Sequence, residues 1–217
     1  MKPYWIKTHF IIKKLFPNLI WDIPNKEKKI YLTFDDGPTP EITQWVLAEL
    51  EKHHAKATFF CIGKNIAAHP EIFNTTIEKG HSIGNHTYNH LNGWKTKTEH
   101  YIENSLLCEN NISNLQSKIC NLKSKLFRPP YGKITAAQSK ELRQQGYKII
   151  MWDVLSADFD QKISKEECLK NVVNNTQSGS IIIFHDSIKA FKNLEYTLPR
   201  VLKHLTQNNY SLEAIKN

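Results

Sequence analysis

The chain has 217 residues and a mass of 25.2 kDa, with 40% hydrophobic, 11% aromatic and 23% charged residues. That composition fits one globular domain and excludes a disordered, collagenous or low-complexity chain. The formal charge is +8, but the lysines are scattered, no run of five basic residues occurs and no nucleic-acid motif is present, so no nucleic-acid partner is expected.

In chain order, residues 1–27 read as a basic, apolar extension. Tyr4-Trp5-Ile6-Lys7 and Phe10–Phe16 form a partly amphipathic stretch broken at Pro17. It is expected to pack on the main domain as a helix or strap closing the bottom of a barrel. Peripheral membrane contact is a second expectation for it. Residues 28–217 are expected to form the catalytic domain. Strands are predicted over Lys29–Phe34, Ala57–Cys61, Ser82–Gly84, Lys125–Arg128, Tyr147–Asp153, Ser180–Phe184 and Tyr210–Ala214. Helices are predicted between them over Pro40–His53, Pro70–Lys79, Thr98–Ile119, Thr135–Gln145, Ser164–Thr176 and Tyr196–Gln207. Ser164 with Glu167 has the spacing of a capping box, and Gly80 and Gly146 stand where left-handed C-caps belong.

Strands alternating with helices call for parallel βαβ units. Asp35-Asp36, His86, Arg128, Asp153 or Asp158, and His185 fall at or past the ends of separate strands. A (β/α) barrel builds its site there, whereas an open sheet gathers ligands at one switch point. The predicted fold is therefore a distorted (β/α) barrel of seven or eight parallel strands.

Four segments carry the chemistry. In Thr33–Pro38 two adjacent carboxylates follow an apolar strand. An extended chain points them to opposite sides, so one can face a metal and the other a substrate. In Asn85–His90 the histidines stand at i and i+4, a metal-ligand spacing if the segment takes a helical turn. With a carboxylate from another strand end they make a three-ligand set that leaves positions for water and substrate. In Phe127–Gly132 an arginine is held before a stiff Pro-Pro, where a guanidinium can orient a carboxylate. The strand Ile181–Phe184 ends in His185, which can act as a general acid if Asp158 or Asp153 raises its pKa.

Each segment alone also fits a bland role: an Asx turn, a chance histidine pair, a surface arginine, a core histidine. Their order is more specific. Thr33–Gly37, His86-Thr87-x-x-His90, Arg128-x-Pro130-Tyr131-Gly132, Asp158-Phe159 and Ile183-x-His185 resemble the five motifs of the NodB-homology polysaccharide deacetylases, carbohydrate esterase family 4. The resemblance spans about residues 28–205. It departs at Phe159, where the family has tryptophan, and at Ile183, where it has leucine. Both changes keep an apolar wall. Phe159 leaves the shape of the sugar pocket open.

The resemblance implies a metal-dependent hydrolase that removes the acetyl group from an N-acetylated sugar or oligosaccharide. It implies Asp36, His86 and His90 as ligands to a divalent metal, zinc first, with cobalt, nickel or manganese as alternates. Asp35 is then the general base and Arg128 orients it. The Tyr131 N–H stabilises the oxyanion, and Thr87 supports the metal loop. His185 is the general acid, tuned by Asp158. A non-catalytic sugar-binding relative is the alternative. A non-haem iron oxygenase with the same ligands would leave Arg128 and His185 without a role.

Four cysteines, at 61, 108, 120 and 168, form no CxxC and fit no zinc-ribbon template. Reduced thiols are expected. With no apolar stretch approaching the roughly 20 residues of a membrane span and no visible export signal, a cytoplasmic location is expected.

Overall fold

The computed structural model describes residues 4–116 and 125–216. Cys120 and the last three residues of the predicted helix Thr98–Ile119 lie outside them. The N-terminal segment carries a short helix, α1 (Phe10–Leu15). There follow β1 (Lys29–Asp35), α2 (Ile42–Lys52), β2 (Ala57–Cys61), α3 (Gly63–Ala68), α4 (Pro70–Glu78), β3 (Ser82–Asn85) and α5 (Thr98–Gln116). The chain continues through β4 (Leu126–Phe127), α6 (Ala136–Gln144), β5 (Lys148–Ile149), β6 (Val154–Leu155), α7 (Lys165–Val173), β7 (Ile181–His185), α8 (Ile188–Gln207) and β8 (Ser211–Leu212).

Seven strands pair in the order β5-β4-β3-β2-β1-β7-β6, and β8 lies beside the start of β1. Every pairing of these strands is parallel. The two edges of this path, β5 and β6, are consecutive in the chain. The Ile150 N–H donates to Phe127 on β4 (2.8 Å), and the Asp153 N–H donates to Ile181 on β7 (2.9 Å). One extended segment thus changes partners midway and curls the sheet into the predicted barrel. The predicted strand Tyr147–Asp153 is corrected to the short β5, with β6 beginning only past its predicted end, because Met151–Asp153 cross from one edge to the other.

Alternation sorts the side chains of β1. Ile30, Leu32 and Phe34 pack with Val46 and Leu50 of α2 and with Leu198, Val201 and Leu202 of α8. Burying each such side chain is worth about 1.5–3 kcal/mol. Tyr31, Thr33 and Asp35 take the other face, towards the barrel interior. Helix α8 begins eight residues before its predicted start and contains Pro199. Its buried Ala190, Leu194, Leu198, Val201, Leu202 and Leu205 keep helical spacing on both sides of the proline, and their burial outweighs the one lost backbone bond. The Ser164 hydroxyl caps α7 by accepting the Glu167 N–H, one of the two bonds of the expected capping box.

The N-terminal segment fills the seam between β5 and β6. The Thr8 N–H donates to Asp153, the Leu155 N–H to Ile6, the Ile20 N–H to Ile149 and the Met151 N–H to Ile20, all at 2.7–2.8 Å. Lys7 and Lys13 each place an ammonium 2.6 Å from the carboxylate of Asp153, which also accepts the Ser180 hydroxyl at 2.6 Å. Asp153 is fully buried at the start of β6, at the end of the barrel opposite the strand C-termini. It is therefore an anchor for the strap and no partner for His185.

Asp153→Ala should remove the acceptor of both lysines and of Ser180. The expected loss is about 3 kcal/mol of folding stability, read as a lower urea midpoint, with Asp153→Asn intermediate.

Candidate active site

Arg128 follows β4 and is wholly buried. Its Nη1 donates to Asp35 Oδ1 and to Thr33 Oγ1, each at 2.7 Å. Its Nε and Nη2 donate to the carbonyls of Ile150 (3.2 Å) and Met151 (2.8 Å), and the guanidinium stacks 4.2 Å from the Phe60 ring. A buried cation satisfied on all these sides fixes the Asp35 carboxylate in one orientation and leaves its Oδ2 unclaimed by the arginine.

Asp36 leaves the strand with φ 83°, so the two aspartates do not splay apart as in an extended chain. Asp35 Oδ2 and Asp36 Oδ1 each lie 3.8 Å from His86 Nε2, and Asp36 Oδ1 lies 3.3 Å from His90 Nε2. The histidines do not share a helical turn. Thr87 and His90 have φ of 62° and 56°, and the loop is held from outside itself. Asn85 Oδ1 accepts the Thr87 N–H, Asn104 Oδ1 accepts those of Tyr88 and Asn89, and the Thr87 hydroxyl accepts that of Leu91. Thr87 thus supports the loop, through its backbone fold.

The donor set fits a divalent metal. Ligand atoms of Asp36, His86 and His90 lie within 4.8 Å of one another, among the described residues the one such group of three. Asp36 Oδ1 is buried without a hydrogen-bond partner, an orphaned charge that a cation would satisfy. His86 Nδ1 lies 2.7 Å from the Arg128 carbonyl, which can only accept, so the proton sits on Nδ1 and the Nε2 lone pair faces the aspartates. Burial, with His90 beside it, pushes the His86 pKa down to about 3, and burial also lowers that of His90. Both imidazoles are kept neutral, the form that binds metal.

His185 ends β7 in register with Asp35 on the adjacent β1. Its Nδ1 lies 2.8 Å from Asp158 Oδ1, and its backbone N–H donates to Asp158 Oδ2 at 2.8 Å. Burial alone would lower its pKa. The Asp158 charge and hydrogen bond overcome that and raise it to about 9. The Phe159 ring stands edge-on to His185 at 5.2 Å, and Tyr4 of the strap meets Phe159 at 5.6 Å. The Tyr4 hydroxyl donates to Asp160, which ties the loop of Phe159 to the N-terminal strap. The Tyr131 ring is exposed, 4.5 Å from His90, in a tight turn where Tyr131 has φ 60°.

Asp186 is a buried residue that the sequence reading did not single out. Its carboxyl accepts the Gly37 N–H (3.1 Å) and the Thr43 hydroxyl (2.5 Å), while its N–H donates to the Asp35 carbonyl (3.0 Å). Burial pushes its pKa up to about 8. A Cβ at Gly37 would fall 2.0 Å from Asp186 Oδ2, so the loop carrying Asp36 closes over Asp186 only with glycine there. The His185-Asp186 pair was the available signal for it: successive residues at a strand end face opposite ways.

The polysaccharide deacetylase family model matches residues 22–150, well over half of the chain. The chain belongs to that family. A Bacillus cereus peptidoglycan-N-acetylglucosamine deacetylase is 34% identical over 206 residues, covering 94% of each chain. Chitin deacetylase 2 of Saccharomyces cerevisiae is 34% identical over 183 residues, 80% of this chain and 55% of that one. Among solved structures, a peptidoglycan N-acetylglucosamine deacetylase in complex with an N-hydroxybenzamide superposes with TM-score 0.86 at 29% identity, covering 96% of this chain and 95% of that one. Peptidoglycan deacetylase PdaC of Bacillus subtilis superposes with TM-score 0.76 at 28% identity, covering 89% and 90%.

Because the pKa of His185 is higher in the fold than its ordinary 6.5, its pair with Asp158 stabilises the protein fully below about pH 6.5 and fades as pH rises through about 9. An NMR titration should find the His185 imidazole changing charge near pH 9. Asp158→Asn should bring that midpoint below 6.5, and Asp153→Asn should leave it in place.

Proposed function

We propose that the chain is a metal-dependent hydrolase that removes the acetyl group from an N-acetylated amino sugar of a glycan, with the N-acetylglucosamine of peptidoglycan as the first substrate to test. The observation that carries the reading is the register of Asp35 and His185 on neighbouring strands. It sets a carboxylate held by Arg128 beside an imidazole paired with Asp158, and the cluster of Asp36, His86 and His90 adjoins the carboxylate through His86. The names of the relatives point the same way, since they act on peptidoglycan or chitin.

Amide hydrolysis needs an activated nucleophile, a site for the developing oxyanion and a proton for the departing amine. A divalent ion held by Asp36, His86 and His90, zinc being the first to test, would polarise the amide carbonyl and acidify a water, whose pKa in such sites falls from 15.7 towards about 7. Asp35 Oδ2 takes the proton of the attacking water while Arg128 holds Oδ1, so the base does not rotate away. The Tyr131 N–H donates to the oxyanion. His185, with Nδ1 engaged by Asp158, gives the proton of Nε2 to the amine nitrogen as the C–N bond breaks. Water has then been divided between acetate and a free amino sugar. The protonated acid and the carboxylate base are kept in opposite states by separate partners, the arrangement that hydrolytic sites require.

Acetate should be released from N-acetylglucosamine oligomers and from peptidoglycan, should stop with chelator and should return with zinc, cobalt, nickel or manganese. No release from any N-acetylated glycan after metal reconstitution would overturn the reading. Asp35→Asn should keep bound metal while kcat falls by roughly 10²–10⁴, the usual general-base contribution; a near-normal kcat would remove Asp35 from that role.

A further inference from the structure

The strap that fills the barrel seam presents an apolar, basic face. None of the residues of α1 is buried. Phe10, Ile11, Leu15 and Phe16 are exposed at 58, 49, 65 and 52%. Ile11 and Leu15 stand one turn apart, as do Phe10 and Lys14, whose ammonium lies 5.5 Å from the Phe10 ring. The helix end opens into a groove of about 290 Å³ between Leu15, Phe16 and Trp21 of the strap and Trp94 and Ile134 of the barrel loops. Lys133 sits 5.3 Å from the Trp94 ring, and the exposed Arg143 lines the groove.

Charge decides what this face fits. Residues 1–21 contain four lysines and no aspartate or glutamate. Among the described residues Lys7 and Lys13 are spent on Asp153, and Lys14, Lys133 and Arg143 stand around the apolar side chains. A second copy docking by the same face would set this basic rim against itself. Interfacial helices that enter the headgroup boundary of anionic membranes combine an aromatic and aliphatic face with lysine and arginine at its rim. Among the described residues no helix is long and apolar enough to cross a membrane, so the contact is peripheral. The backbone bonds of the strap to Ile149, Asp153 and Leu155 hold the surface ready-made.

We propose that this face docks the protein on an anionic lipid bilayer, with Phe10, Ile11, Leu15 and Phe16 entering the headgroup boundary and Lys14, Lys133 and Arg143 facing lipid phosphates. The groove includes Gly132, next to Tyr131, so docking sets the catalytic mouth beside the bilayer surface. The proposal does not depend on which amide the site hydrolyses.

The test is sedimentation of the full chain with vesicles of phosphatidylglycerol and phosphatidylcholine, against vesicles of phosphatidylcholine alone. Binding at least tenfold tighter to the anionic vesicles, with a blue shift of tryptophan emission and loss at high salt, is expected. Phe10→Ser/Ile11→Ser/Leu15→Ser/Phe16→Ser and Lys14→Glu/Arg143→Glu should each weaken binding at least tenfold, with activity on a soluble N-acetyl oligomer unchanged. If the apolar variant loses its fold by circular dichroism, the charge variant decides, since it removes no apolar contact. No binding to anionic vesicles, undiminished binding by the charge variant, or a dimer in analytical ultracentrifugation that the charge variant enhances would each overturn the proposal.

Discussion

A guanidinium with no exposed surface is the constraint on which the site is built. Arg128 cannot shed its charge, so its surroundings must supply acceptors, and they do so from two different parts of the barrel: Asp35 and Thr33 on β1, and Ile150 and Met151 on the segment after β5. Its own backbone ties in β3, since its N–H donates to Asn85 and its carbonyl accepts from His86. One residue therefore aims the proposed base with its side chain and one proposed metal ligand with its main chain. Replacing it by lysine would keep the charge but lose the fork and the stacking on Phe60. A misplaced β4 would disturb both halves of the chemistry together.

Backbone strain concentrates around this centre. Asp36, Thr87, His90, Tyr131 and Ala157 all have left-handed φ, and all lie in the loops at the C-terminal mouth. Non-glycine residues take that conformation at a cost and keep it only where other contacts outvote it. Asp186 does this for the loop of Asp36, and Asn85 and Asn104 do it for that of the histidines. Stability is drawn from the buried strands and from the Asp153 anchor at the other end, which leaves the mouth free to hold side chains where chemistry wants them.

Much of this was legible in the sequence, for reasons that differ by element. Strand β2 has its predicted bounds because five buried residues between turns leave no other reading. The polar residues at strand ends gave the barrel and nearly all of the site, because parallel strands deliver their C-termini to one mouth. What escaped was non-local. Whether Asp153 or Asp158 meets His185 depends on which end of β6 each occupies, and β6 became a separate strand only through a change of pairing partner. The His86–His90 loop has the spacing of a helical turn, yet Asn104, sixteen residues away on α5, bends it otherwise. Tyr4 reaches Phe159 across more than 150 residues, a contact for which neither residue carries a local signal. The strap thus brings an aromatic to the ring of Phe159.

The register of β1 against β7 has a consequence for how such a protein can diversify. Asp35 and His185 are paired through the backbone, at the roughly 4.8 Å spacing of neighbouring strands. A slip of one residue would turn either side chain to the opposite face. Their separation is thus inherited from the sheet and is indifferent to the length or composition of the loops above it. Those loops can be exchanged or lengthened while the proposed reacting pair stays in place, so what the mouth binds and what the pair does are free to evolve on separate timetables.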